Sequence, residues 1–150
     1  MNIRNPILFV DIDGVLSSDY RTLNLPNVQA LQHILARTNV DIVISSAWRV
    51  IHNISNLRLI FQGSLPPNVI FVCDPSRIIG VTPFDMDEER GSEILRWLRM
   101  NTDENNPNFV ILDDDTFDLG IVIDRVIEVD PLVGLTMANA EQAILMLTNT

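Results

Sequence analysis

The sequence predicts an α/β domain: a three-layer sandwich built on a mostly parallel, five-stranded sheet. Short apolar runs alternate with stretches of helical spacing, the pattern of strands buried on both faces and joined by covering helices. The 150 residues are the size of one domain, and 47% of them are hydrophobic, enough to bury a sizeable core. No repeat, low-complexity tract or linker divides the chain, so residues 1–150 are read as a single domain.

The strand candidates are Ile7–Val10, Asp41–Ile44 (apolar after its first residue), Val69–Val72, Phe109–Leu112 and Arg125–Val129, the last with the weakest pattern. Between them, Val28, Leu31, Ile34 and Leu35 form one apolar helical stripe, with Pro26 favourable near its start. Ile51, Ile54, Leu57 and Phe61 form a second, stopped near Gly63. Ile94, Leu95 and Leu98 form a third. Ala140, Ile144 and Leu147 form a fourth, with Thr136 or Asn139 as its cap. Two stretches read as irregular, Ser17–Leu25 and Asp74–Asp87. Both follow expected strand ends, where open α/β sheets bind ligands.

Composition narrows the function. Cys73 is the only cysteine, which excludes an internal disulfide and fits a reducing compartment. The apolar run after Arg4 is broken by Asp11, too soon for a signal peptide or a membrane span, so the expected location is the cytoplasm. Net charge is −10 and every basic residue is Arg. An acidic surface disfavours unaided binding of long nucleic acid, which is driven by phosphate neutralisation. It leaves room for a small phosphorylated molecule, a strand end or a protein partner.

Asp11-Ile12-Asp13-Gly14 follows the apolar run Ile7–Val10 directly. Folding alone does not account for two carboxylates at the end of a buried strand, because they raise each other's pKa unless a cation or substrate compensates. Strand alternation puts Asp11 and Asp13 on one side and Ile12 on the other, and Gly14 frees the backbone to turn. Three further features fall at or near the carboxyl ends of strands: Ser45 closing Asp41–Ile44, Arg90 at the front of the helix Arg90-Gly91-Ser92-Glu93-Ile94, and Asp113-Asp114-Asp115-Thr116-Phe117-Asp118. With the first strand central, these ends converge on one crevice.

That order and spacing resembles the haloacid dehalogenase-like (HAD) superfamily of phosphohydrolases. Its first motif is a hydrophobic strand followed by Asp-x-Asp-Gly, matched from Ile7 to Gly14. The second, a strand ending in Ser or Thr, is matched by Val43-Ile44-Ser45. The third, a basic residue on an upstream helix, is matched by Arg90, and the fourth by Asp114 and Asp118. The resemblance implies a Rossmann-like fold and an aspartyl-phosphate mechanism with Mg²⁺. Asp11 would be the nucleophile and Asp13 the general acid and base; Ser45 and Arg90 would bind the phosphoryl group. Mg²⁺ would be held by Asp11, the backbone carbonyl of Asp13 and Asp114. Asp118 would act from behind them, and Asp113 is an alternative metal ligand. Ser46 can replace Ser45 if the strand ends one residue later, and Arg96 is a weaker alternative to Arg90. The usual basic residue of the third motif is Lys; Arg keeps the charge but differs in bulk and reach.

The short spacings from Asp13 to Ser45 and from Ser46 to Arg90 leave little room for a cap domain, so the site is expected to be open. The segment Ile44-Ser45-Ser46-Ala47-Trp48-Arg49, with Gly134-Leu135-Thr136, resembles the HAD domain of Swiss Army Knife RNA repair proteins. On that resemblance, Arg49 would engage a phosphate and Trp48 a base, and the substrate would be a nucleotide or a nucleic-acid end phosphate. The alternative is a catalytically silent phosphate- or metal-binding module acting through a partner. Each feature also has a plainer reading. Asp113–Asp115 alone is an acidic turn, Arg90 a surface partner of Glu93 or Asp87, and Trp48 a core residue. His33 and His52 read as surface residues, Cys73 as a small buried one. Arg77 and Thr82 read as specificity contacts or as nothing.

Overall fold

A computed structural model of the chain describes residues 3–19, 23–45, 53–62, 74–83, 87–103 and 108–148. Within these, five strands occur: β1 (Ile7–Val10), β2 (Asp41–Ile44), β3 (Ile78–Val81), β4 (Phe109–Asp113) and β5 (Val126–Glu128). The helices are α1 (Leu25–Arg37), α2 (Ile54–Phe61), α3 (Arg90–Asn101) and α4 (Met137–Thr148). The sheet order is β3-β2-β1-β4-β5 and every pairing in it is parallel. The fold is Rossmann-like α/β, and no cap domain is evident among the described residues. None of the described helices is long and apolar enough to cross a membrane.

Side-chain alternation along the strands builds the three layers. Leu8 and Val10 of β1, Ile42 and Ile44 of β2, and Val110 and Leu112 of β4 face one way. They pack with Val28 and Leu31 of α1, Leu57 and Phe61 of α2, and Ala140 and Leu147 of α4. Ile7, Phe9, Val43 and Ile111 face the other way, onto Ile94, Trp97 and Leu98 of α3. Phe9 meets Trp97 edge-on at 5.8 Å between centroids and Phe109 at 6.1 Å, the geometry that ring quadrupoles favour. Truncating Phe9 to Ala would cost about 3–5 kcal/mol, since its pocket is closed on every side.

The structure corrects the reading of residues 74–87. The stretch is not wholly irregular: a 3₁₀ turn, Pro75–Arg77, leads into the edge strand β3. Four residues are too few to show a period, and Gly80 inside them reads as a turn signal. Gly80 is there because Trp97 lies over it; a Cβ would stand 3.2 Å from the indole nitrogen. The expected strand Val69–Val72 lies outside the described residues.

Arg77 is a clamp on the fold. Its guanidinium donates to the carbonyls of Leu35, Thr38 and Val40, satisfying groups left open at the end of α1. Thr82 continues the ladder beyond β3 through its N–H to Ile44 O, at 3.0 Å. His33, half-buried on α1, meets Glu141 of α4 at 2.5 Å and so ties two helices together. At the start of α4 the caps are reciprocal: Asn139 N–H donates to Thr136 Oγ1, and Thr136 N–H to Asn139 Oδ1.

Candidate active site

Strand register sets the site. Val10 is level with Ile44 on one side and Leu112 on the other, so the next residues, Ser45, Asp11 and Asp113, end three neighbouring strands side by side. Two hydrogen bonds lock that row: Asp11 N–H to Leu112 O and Ser45 N–H to Val10 O, both at 3.0 Å. All three residues are buried.

Carboxylate oxygens of Asp11, Asp113 and Asp114 come within 4.8 Å of one another. Burial, then the charges of Asp113 and Asp114, push the Asp11 carboxyl up to about 9. Asp113 is raised to about 6, mainly by burial, with the Arg90 guanidinium and the Asp115 N–H opposing the rise. An oxygen-only donor set of this charge fits a hard divalent cation such as Mg²⁺, whose charge would offset the burial and the repulsion that together hold a proton on Asp11.

Gly14 makes the cluster sterically feasible. Its φ of +80° lies in the left-handed region, and a Cβ there would fall 2.3 Å from Asp114 Oδ2. The Asp114 carboxylate therefore packs directly against the backbone that follows β1. Asp13 is half-buried and not one of the three converging carboxylates. It sits in a tight turn in which the N–H groups of Val15, Leu16 and Ser17 all point at Ile12 O.

Arg90 opens α3 and reaches across to the end of β4. Nη1 lies 2.8 Å from Asp113 Oδ2 and Nε 2.9 Å from Asp118 Oδ1; Nη2 donates to Asp115 O at 2.7 Å. Burial works against its charge, but Asp113 and Asp118 outweigh that and hold the guanidinium above its ordinary pKa. Partial burial raises Asp118, and the Arg90 contacts more than offset it, so this carboxyl titrates below the usual range. Three of the five guanidinium N–H groups are thus directed to protein acceptors. Gly91 allows the approach: its N–H donates to Asp118 O at 3.0 Å, and a Cβ there would meet Ile121 at 2.7 Å. Arg96, six residues further along the helix, pairs with Glu88 at 3.0 Å.

Ser45 Oγ is buried and has no hydrogen-bond partner among the described residues. A buried hydroxyl left unpaired costs about 1–3 kcal/mol, so its position beside Asp11 reads as a donor kept for a ligand. Ser46 and Arg49 lie outside the described residues, as do Trp48, His52 and Cys73.

The sequence profile of the family described as the HAD domain in Swiss Army Knife RNA repair proteins matches residues 7–140. The chain belongs to that family. No curated protein matches it. The matched span of this HAD domain takes in the Asp11 turn, Ser45, Arg90 and the Asp113–Asp118 loop, together with most of the sheet and its helices.

One positioning device was not legible in the sequence of this HAD domain. Asn27 of α1 is buried and donates to Val133 O at 3.1 Å and Leu135 O at 2.9 Å. Leu135 N–H in turn donates to Val15 O at 2.8 Å, which fastens the turn carrying Asp13. Gly134, with φ +78°, lets Asn27 in; a Cβ would sit 2.5 Å from Asn27 Oδ1. The segment Gly134-Leu135-Thr136 therefore packs as a brace behind the site. Gly134 was the signal present in the sequence, but its partner lies more than a hundred residues earlier.

Proposed function

We propose that this HAD domain is a Mg²⁺-dependent phosphomonoester hydrolase acting through an aspartyl-phosphate on Asp11, on a nucleotide or a nucleic-acid end phosphate. The observation that carries the reading is the row of Asp11, the unpartnered Ser45 hydroxyl and the Arg90-bound Asp113, side by side at the ends of three strands. A buried hydroxyl with no partner among the described residues, next to a carboxyl that cannot ionise comfortably, supports a ligand site over a purely structural row.

Asp11, Asp114 and the backbone carbonyl of Asp13 would hold the cation, with Asp113 as the alternative carboxylate. When bound, Mg²⁺ supplies the positive charge that keeps Asp11 ionised and screens the phosphate from the carboxylates. Asp11, its Oδ1 fixed by the Ile12 N–H at 2.9 Å, attacks phosphorus as the bond to the leaving oxygen breaks. Asp13 gives its proton to that oxygen. Asp13 then takes a proton from water; the water oxygen bonds to phosphorus, the P–O bond of the Asp11 acyl phosphate breaks to return the carboxylate, and inorganic phosphate leaves. Ser45 Oγ donates to a phosphoryl oxygen. Arg90 acts mainly by holding Asp113 and Asp118 in place, with its two remaining N–H groups available to the phosphoryl oxygens.

The test is hydrolysis of an aryl phosphate with and without Mg²⁺. Turnover that needs Mg²⁺ and is lost in both Asp11→Asn and Asp13→Ala supports the reading. Mg²⁺ binding without turnover on a broad phosphate panel makes the domain a silent binding module instead.

A further inference from the structure

Phe117 is 93% exposed, the most exposed of the large apolar side chains among the described residues. Its place matters more than its exposure. It stands between Asp114, in the carboxylate cluster, and Asp118, the partner of Arg90. Three residues span at most about 10 Å, so the ring is rooted within that distance of the Asp114 backbone. The backbone there is held: Phe117 N–H donates to Asp115 Oδ1 at 3.0 Å, and Leu119 N–H to Thr116 O at 3.1 Å. The ring is thus presented on the crest of a pinned turn. Ile121, 63% exposed, is a second apolar side chain, lying beside Gly91 in the first turn of α3.

The charges at this rim argue about what the ring meets. Asp114, Asp115 and Asp118 lie within three residues of it in sequence, the chain carries a net charge of −10, and Arg90 already serves three protein acceptors. A rim of this sign repels a string of phosphates, so contacts to the body of a substrate have to come from uncharged surface. A flat, exposed aromatic ring takes an uncharged aromatic base by stacking, without regard to base identity.

We infer that Phe117 is a specificity-determining residue: it stacks on the base of the nucleoside that carries the scissile phosphate, selecting nucleoside phosphates over alkyl phosphates. The inference rests on the hydrolase reading above and deepens it.

The experiment compares nucleoside 5′- and 3′-monophosphates with glycerol 2-phosphate in wild type, Phe117→Ala and Phe117→Tyr. The readout is the ratio of kcat/KM for the nucleoside phosphates to that for glycerol phosphate. Phe117→Ala is expected to lower that ratio about tenfold or more, with the loss carried by KM, and Phe117→Tyr to restore it. An unchanged ratio, or no preference for nucleoside phosphates in wild type, overturns the inference while leaving the hydrolase reading intact. A ratio unchanged in Phe117→Ala together with a changed sedimentation coefficient makes the ring a protein contact, which also overturns it. Absence of turnover in wild type on all three substrates and on 5′- and 3′-phosphorylated oligonucleotides overturns the hydrolase reading and this inference with it.

Discussion

Asp114 occupies the space that a side chain at residue 14 would need: a Cβ on Gly14 would stand 2.3 Å from Asp114 Oδ2. The turn after β1 and the loop after β4 are therefore fitted to each other, and the carboxylate cluster depends on that fit.

Gly14→Ala tests the fit. Alanine at φ +80° is strained by about 1–3 kcal/mol, and its methyl group displaces Asp114. Thermal unfolding should show the loss of stability, and calorimetric titration a Mg²⁺ affinity at least about tenfold weaker, in line with losing one positioned carboxylate. Mg²⁺ affinity equal to wild type would mean that Asp114 is not a ligand.

The metal-free protein should lose stability as pH rises. Unfolded, Asp11 releases its proton near 3.8; folded, it keeps it to about 9. Between those values the folded state binds more protons, so stability falls by up to about 1.4 kcal/mol per pH unit from this group. Asp113 adds to the fall between its ordinary value and about 6. Urea denaturation from pH 5 to 8.5 should show the decline, smaller in Asp11→Asn and flattened by Mg²⁺. A flat profile without metal would contradict the electrostatic account of the cluster.

Removing the Arg90 guanidinium leaves Asp113, 1% exposed, without its ion-pair partner. Arg90→Ala should cost about 3 kcal/mol, the low end for breaking a buried pair because Arg90 itself is partly exposed. Arg90→Lys keeps the charge but not the three-way fork, so it should recover stability in part and turnover poorly. Equal turnover in the Lys variant would show that charge alone matters at this position.

Asn27 braces the segment that is hydrogen-bonded to the turn carrying Asp13, and its effect should be on both stability and rate. Asn27→Ala leaves two buried carbonyls, of Val133 and Leu135, short of a donor, at about 1–3 kcal/mol. If Asp13 is the acid/base, as proposed, turnover should fall in kcat more than in KM, because the turn carrying it is loosened while the Ser45 and Arg90 side chains stay in place. A change in KM alone would place Asn27 nearer the substrate than its contacts suggest.

The readable parts of this chain were those with short-range logic. The alternation Ile7 to Val10 fixes which way Asp11 and Ile12 face, and Ile12 is found in the larger core with Leu8 and Val10. Two roles hidden in the sequence depend on distant backbone: Arg77 on carbonyls about forty residues earlier, Asn27 on carbonyls more than a hundred later. Nothing local marks such partners. The choice between Asp113 and Asp114 was unreadable for another reason. One is the last residue of β4, the other the first beyond it, and both carboxylates reach the cluster while only Asp113 takes the Arg90 charge.

The central claim is that Asp11 becomes phosphorylated. The most direct measurement is borohydride reduction of the enzyme during turnover with Mg²⁺, followed by peptide mass spectrometry. Reduction of an aspartyl-phosphate converts that aspartate to homoserine. The account predicts homoserine at position 11, absent without Mg²⁺ or substrate and absent in Asp11→Asn. Homoserine at position 13, 113 or 114, or turnover with no reducible aspartate, would contradict it.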